Sequence, residues 1–186
     1  LGDTDLLLAI IKLIEDRMNV EDDVKTVGVQ SIMLVEDSIR FYSSALPLLY
    51  KFVLTESREF SKEALNEHQQ MLRKRGRPKI LLARNYEEAA EYYGKYHDNM
   101  LGIICDMSFN RDGVKDMLAG KKLGEWVRSK DVDIPMIYTS SNSENEKHIE
   151  IPNAVFIDKN SKTFPPDLNK ALKDNLGFGD FIIRDP

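Results

Sequence analysis

The chain has 186 residues, 42% of them hydrophobic, with 31 acidic against 26 basic side chains and a formal net charge of −5. That length suits one domain with attachments and a sizeable core, and the acidic balance argues against a general nucleic-acid-binding surface. The one cysteine, Cys105, excludes an intramolecular disulfide, and its place in an apolar run reads as a buried thiol.

Asp3 or Thr4 can cap a helix running to about Met18, followed by an acidic linker at Glu21-Asp22-Asp23. Its apolar run, Leu6 to Ile14, is preceded by Asp3 and Asp5, broken by Lys12 and too short to span a membrane, so it reads as an amphipathic helix of a cytoplasmic protein. That helix is either the last element of an upstream module or an extension packed on the domain that follows. A first strand, Ser31 to Val35, leads into a helix from Ser38 through Val53, which Pro47 should kink. A second helical stretch, Thr55 to about Arg73, makes a helical insertion before the second strand, Lys79 to Ala83. Asn85-Tyr86-Glu87-Glu88 resembles a capping box that opens a helix ending near Gly94. A third strand, Leu101 to Cys105, is followed by a long loop, Phe109 through Ala119, and a helix from Gly120 to Ser129. A fourth strand, Ile134 to Tyr138, a short polar segment, and a fifth strand from Ala154 to Ile157 come next. Pro165-Pro166-Asp167 begins the last helix, which ends near Leu176. The divisions are residues 1–27 (helix and linker), 28–176 (the domain) and 177–186 (a connection onwards).

Acidic residues end two of the strands. Glu36-Asp37 follows the first run and Asp106 the third. Short apolar runs bounded by turn chemistry read as buried parallel strands, and ligands of an open α/β sheet bind at the carboxyl ends of its strands. Three carboxylates meeting there repel one another unless a hard cation sits among them, and Mg²⁺ prefers oxygen ligands. The hydroxyls of Thr139, Ser140 and Ser141 follow the fourth run, and Asp158-Lys159 the fifth.

Two acids, one acid, a hydroxyl and a lysine, each at a strand end and in that order, resemble the receiver (CheY-like) domain of two-component response regulators, from about Val29 to Asn175. The resemblance implies a doubly wound five-stranded parallel sheet of order 2-1-3-4-5, here with a helical insertion between strands 1 and 2 and an extra N-terminal helix. It implies that Asp106 accepts a phosphoryl group, and that Glu36, Asp37, Asp106 and the backbone carbonyl of Ser108 hold Mg²⁺. It also implies that Lys159 pairs with the phosphoryl oxygens, and that Ser140, five residues after Pro135, is the responding hydroxyl rather than Thr139. Phe156 is then the aromatic that rotates. The implied partners are a histidine kinase or phosphotransfer protein and the flanking domains of a longer chain. The implied activity is self-catalysed phosphoryl acceptance without enzymatic turnover. An alternative keeps the fold as an interaction module that is not phosphorylated. The stretch Phe164 to Pro186 resembles the junction before a pyruvate, phosphate dikinase or phosphoenolpyruvate synthase-type domain.

The pattern departs from the family at Asn160, where receivers usually carry proline, and at Met107-Ser108-Phe109-Asn110, where an apolar-proline pair is usual. Ser108 also stands where a haloacid dehalogenase-type hydrolase needs its second aspartate. Arg73-Lys74-Arg75-Gly76-Arg77-Pro78-Lys79 is similar to an AT-hook core, but a helix stop with exposed basic residues accounts for every residue in it. Nucleic acid is therefore not an expected partner.

Overall fold

The computed structural model describes residues 3–62 and 76–176. Five apolar runs become five strands: β1 (Ser31–Val35), β2 (Lys79–Ala83), β3 (Met100–Asp106), β6 (Met136–Ser140) and β7 (Ala154–Asp158). All pair in parallel in the order β2-β1-β3-β6-β7. This is the expected doubly wound sheet, with two further short strands lying outside it.

Burial on both faces explains the uniformly apolar strands. One face carries Met33, Val35, Ile103, Cys105 and Tyr138, covered by α3 (Tyr86–Tyr96) and α4 (Ala119–Arg128) through Tyr93, Leu123 and Val127. The other carries Ile32, Leu34, Ile104 and Ile137, covered by α2 (Ile39–Lys62) and α5 (Phe164–Asn175) through Leu46, Leu49, Leu168 and Leu172.

The leading helix α1 (Asp3–Lys25) belongs to this core. Ala9 joins one cluster while Val20 and Val24 join the other, so the helix wraps the β2 edge of the sheet. Its anchor is Asp16, fully buried. The Asp16 carboxylate accepts hydrogen bonds from the Tyr50 hydroxyl (2.8 Å), the Ile80 amide on the edge strand (2.9 Å) and the Arg77 guanidinium (2.9 and 3.3 Å). An edge covered by a helix, with the Ile80 amide already satisfied, is a poorer template for pairing with another chain.

Four expectations are corrected. The acidic stretch at Glu21-Asp22-Asp23 is helix rather than linker, because Val20 and Val24 are buried, Lys25 pairs with Glu21 at 2.7 Å and Asp23 pairs with Lys79. α2 continues unbroken through Pro47 to Lys62, where two helices were expected. Leu46, Leu49, Phe52 and Val53 bury their side chains on both sides of the proline and offset its local cost of about 3 kcal/mol. The rest of the second helical stretch, including Arg73-Lys74-Arg75, lies outside the described residues. Arg77 and Lys79 are not exposed charges: both pair with Asp16, and their side chains are 15% and 10% exposed. These two groups of the hook-like segment are thus engaged inside the fold.

The fourth correction concerns the long loop after β3. It contains a hairpin of β4 (Phe109–Arg111) and β5 (Val114–Asp116). Asp112 (φ 53°) and Gly113 (φ 77°) form the turn, and two central residues with positive φ define the type I′ turn that matches strand twist. Phe109, fully buried, roots the hairpin in the core.

Candidate functional site

The strand ends bring Glu36, Asp37 and Asp106 together, with one carboxylate oxygen of each within 4.8 Å of the others. Glu36 and Asp106 share a face because β1 and β3 are neighbours in register, Leu34 opposite Ile104. Lys159, immediately after β7, reaches the same point. Its ammonium contacts Glu36 Oε2 and lies 3.2 Å from Asp106 Oδ1, with its side chain 4% exposed. The Phe41 ring lies 4.1 Å from the Lys159 ammonium and holds it by cation–π attraction.

Burial and the negative charge of Asp106 push the Glu36 carboxyl up, to about 7, against the opposing pull of Lys159. Burial likewise raises the Cys105 thiol, which leaves it neutral beside the acids. The Asp106 carboxylate is oriented by its neighbour, because the Met107 amide donates to Oδ1 at 2.8 Å. The backbone there is fixed by α4. The Gly120 amide donates to the Met107 carbonyl at 3.0 Å. A Cβ on Gly120 would stand 2.1 Å from the Asp106 carbonyl oxygen and 2.9 Å from Met107 Cα, so only glycine permits this approach.

Thr139 and Ser140 lie inside β6, not after it. Thr139 pairs with Asp106 across the sheet and lines a small cleft with Glu36, Phe41 and Lys159. Ser140 Oγ accepts from the Asn142 amide (3.1 Å) and Asn145 Nδ2 (2.8 Å), and its carbonyl accepts from the Lys159 amide (2.8 Å). Phe156 pairs with Tyr138, so Ser140, two residues beyond Tyr138, points to the same face as Phe156, while Thr139 shares the opposite face with Ile157. Asn160, in the usual proline position, ties the neighbouring loops by donating from Nδ2 to the Ser141 carbonyl at 3.0 Å.

A further residue at the site went unread in the sequence. Lys115, on β5, places its ammonium 2.8 Å from Asp37 Oδ2 and 3.1 Å from the Ser108 carbonyl. The signal that leads to it is Asp112-Gly113, the dipeptide that folds the hairpin.

No known protein family and no curated protein sequence matches the chain. Among solved structures it is similar to a response regulator receiver protein from Sinorhizobium medicae (13% identity, TM-score 0.48, covering 81% of this chain and 96% of that one). It is also similar to the non-phosphorylated HemR receiver domain of Leptospira biflexa (19% identity, TM-score 0.49, 84% and 98% covered). A third is the response regulator TrrA of Thermotoga maritima in complex with Mg²⁺ and beryllofluoride (16% identity, TM-score 0.46, 77% and 100% covered). None of the three is a phosphoenolpyruvate-utilising enzyme, so that resemblance of the carboxyl-terminal stretch finds no support, and residues 177–186 lie outside those described. No helix among the described residues is long and apolar enough to cross a membrane.

Proposed function

We propose that the chain is a cytoplasmic phospho-acceptor receiver module, in which Asp106 takes a phosphoryl group in a Mg²⁺-dependent reaction and switches an attached output. The observation that carries the reading is the gathering of Glu36, Asp37 and Asp106 within 4.8 Å, with a buried lysine among them. The donor set fits a hard cation. It is all oxygen, and the Glu36 carboxyl is raised by burial first and then by the negative charge of Asp106. Glu36, Asp37, Asp106 and the Ser108 carbonyl are the groups that would hold Mg²⁺. When bound, the ion neutralises charge on the phosphoryl oxygens during transfer.

The chain's own residues account for the rest of the chemistry. The Met107 amide and Lys159 both engage Asp106 Oδ1, which directs Oδ2 to the donor. An Oδ2 lone pair attacks phosphorus, the bond from phosphorus to the donor's leaving group breaks, and the leaving group departs with the bonding pair. With a phosphohistidine donor, that leaving group is the imidazole of a histidine kinase or phosphotransfer protein. Lys159 then balances the added charge. Ser140, released from the Asn142 amide and Asn145 Nδ2, turns its hydroxyl to the new phosphoryl group, and that movement opens space for Phe156 on the face they share. This couples a local charge change to a surface change. Thr139, on the opposite face, cannot open that space.

Incubation with Mg²⁺ and acetyl phosphate tests the reading: one phosphoryl group should attach, and Asp106→Asn should abolish labelling. A folded protein that no donor labels would refute it. The alternative is a constitutive interaction module, and the Lys115 ammonium between Asp37 and Ser108 is the observation that favours it.

A further inference from the structure

Lys115 does not reach the acidic cluster by chance of a long side chain. Its strand is held at both ends of the hairpin. At the turn, the Asp112 amide donates to Glu87 Oε1 at 2.7 Å, and the Arg111 guanidinium lies 5.0 Å from the centre of the Tyr86 ring. At the base, Phe109 is buried, and Asp116 accepts from the Leu118 amide at 2.9 Å while pairing with Lys122 at 2.6 Å. Between these anchors, Lys115 stands opposite Asn110. A backbone fixed in this way keeps the ammonium at a high local concentration beside Asp37.

The two lysines of the site differ in freedom. Lys159 is sealed in, whereas the Lys115 side chain is 50% exposed and can swing into solvent without leaving a buried charge behind. The oxygens it engages, Asp37 Oδ2 and the Ser108 carbonyl, are two of the four expected to hold a divalent cation. An ammonium and a metal ion cannot share them at contact distance, because both are positive and both need the same lone pairs.

We propose that Lys115 is a tethered cation that competes with the divalent ion for Asp37 and the Ser108 carbonyl, and so sets the metal affinity of the site. The proposal rests on the metal-site reading above. The lysine holds the cluster in a charge-balanced resting arrangement, and the site becomes competent only at metal concentrations that displace it.

The test uses the whole chain and Mn²⁺, whose free form is counted by electron paramagnetic resonance. Lys115→Met should bind Mn²⁺ about twofold to fivefold more tightly than the wild type, the range expected when a partly exposed ion pair is removed. Lys115→Arg should restore the wild-type affinity. Lys95→Met, which loses only an exposed pair with Glu91 away from the hairpin, should leave it unchanged, and Asp37→Asn should weaken it. A wild type that binds no Mn²⁺ beside a Lys115→Met variant that does is the proposal in its strongest form. Equal or weaker binding by Lys115→Met and Lys115→Gln, with Asp37→Asn still damaging, overturns the competition and leaves the metal site standing. No Mn²⁺ binding by any variant overturns both. Unchanged Mn²⁺ affinity with reduced beryllofluoride binding assigns Lys115 to the phosphoryl group and likewise overturns the proposal.

Discussion

Removing the Asp16 carboxylate should loosen α1 from the sheet and cost a large share of the stability of the domain. Asp16 is fully buried and satisfies four groups at once: the Tyr50 hydroxyl, the Ile80 amide, the Arg77 guanidinium and, at 3.7 Å, the Lys79 ammonium. The carboxylate and the burial of Tyr50 together hold that phenol well above its ordinary range, so it stays a donor. In Asp16→Ala each neutral donor is left buried and unpaired, at about 1–3 kcal/mol apiece. Breaking a buried ion pair from one side costs about 3–5 kcal/mol. The two neutral donors together cost about 2–6 kcal/mol. Arg77, which retains some exposure and can partly rehydrate, adds less than the full ion-pair cost, so the expected total is about 4–8 kcal/mol against a typical domain stability of about 5–15 kcal/mol. Arg77→Ala removes the partner instead and should cost somewhat less, because Lys79 still faces the carboxylate. Urea unfolding monitored by circular dichroism measures both. A loss below about 1 kcal/mol for Asp16→Ala would refute the view that this carboxylate anchors the helix.

Gly120→Ala should destabilise the fold by about 1–3 kcal/mol and reduce phosphoryl labelling, because the new methyl meets the Asp106 carbonyl at 2.1 Å; Gly94→Ala, with open space around it, should not. Ser140→Ala should still permit labelling at Asp106 but abolish the accompanying change at Phe156, read by fluorine nuclear magnetic resonance of labelled phenylalanine, while Thr139→Ala should preserve that change. In chelator, stability should fall as pH rises from about 4.5 to about 7. Glu36 has its carboxyl raised in the folded state, so folding favours the protonated form below that window and loses the advantage through it. The drop is at most about 3 kcal/mol; Glu36→Gln should flatten it, and an unchanged slope in that variant would assign the effect elsewhere.

The strands were legible because a parallel sheet covered on both faces demands uninterrupted apolar runs, and β1 and β2 begin and end where those runs do. The acids were legible because Glu36, Asp37 and Asp106 break such runs abruptly at their carboxyl ends. What escaped was of two kinds. Three-residue strands such as β4 and β5 are too short to show a period, so the hairpin was hidden although Asp112-Gly113 advertised its turn. Buried charge was hidden for another reason. Pattern reading treats Asp16, Arg77 and Lys79 as solvated, and nothing local reveals that residues 61 and 63 positions apart will find one another. The extent of α1 was misjudged for the same reason, since its buried stripe includes a carboxylate where an apolar residue is expected.

The same residue types therefore make two ionic clusters with opposite consequences, and charge balance separates them. Around Asp16 and Asp23 stand Arg77 and Lys79, with the Tyr50 hydroxyl and the Ile80 amide as further donors to Asp16. Donors are in surplus, so the arrangement has no need of an added ion and acts as a fixed joint. Around Glu36, Asp37 and Asp106 stand only Lys159 and Lys115, two ammonium groups against three carboxylates. Burial first, and then the charge of Asp106, raise the Glu36 carboxyl, and Lys115, half exposed, is the cation of the proposed exchange. On the proposed reading, a cluster short of positive charge and closed by a half-exposed lysine exchanges that lysine for a divalent cation. A cluster in balance and sealed is built to stay as it is.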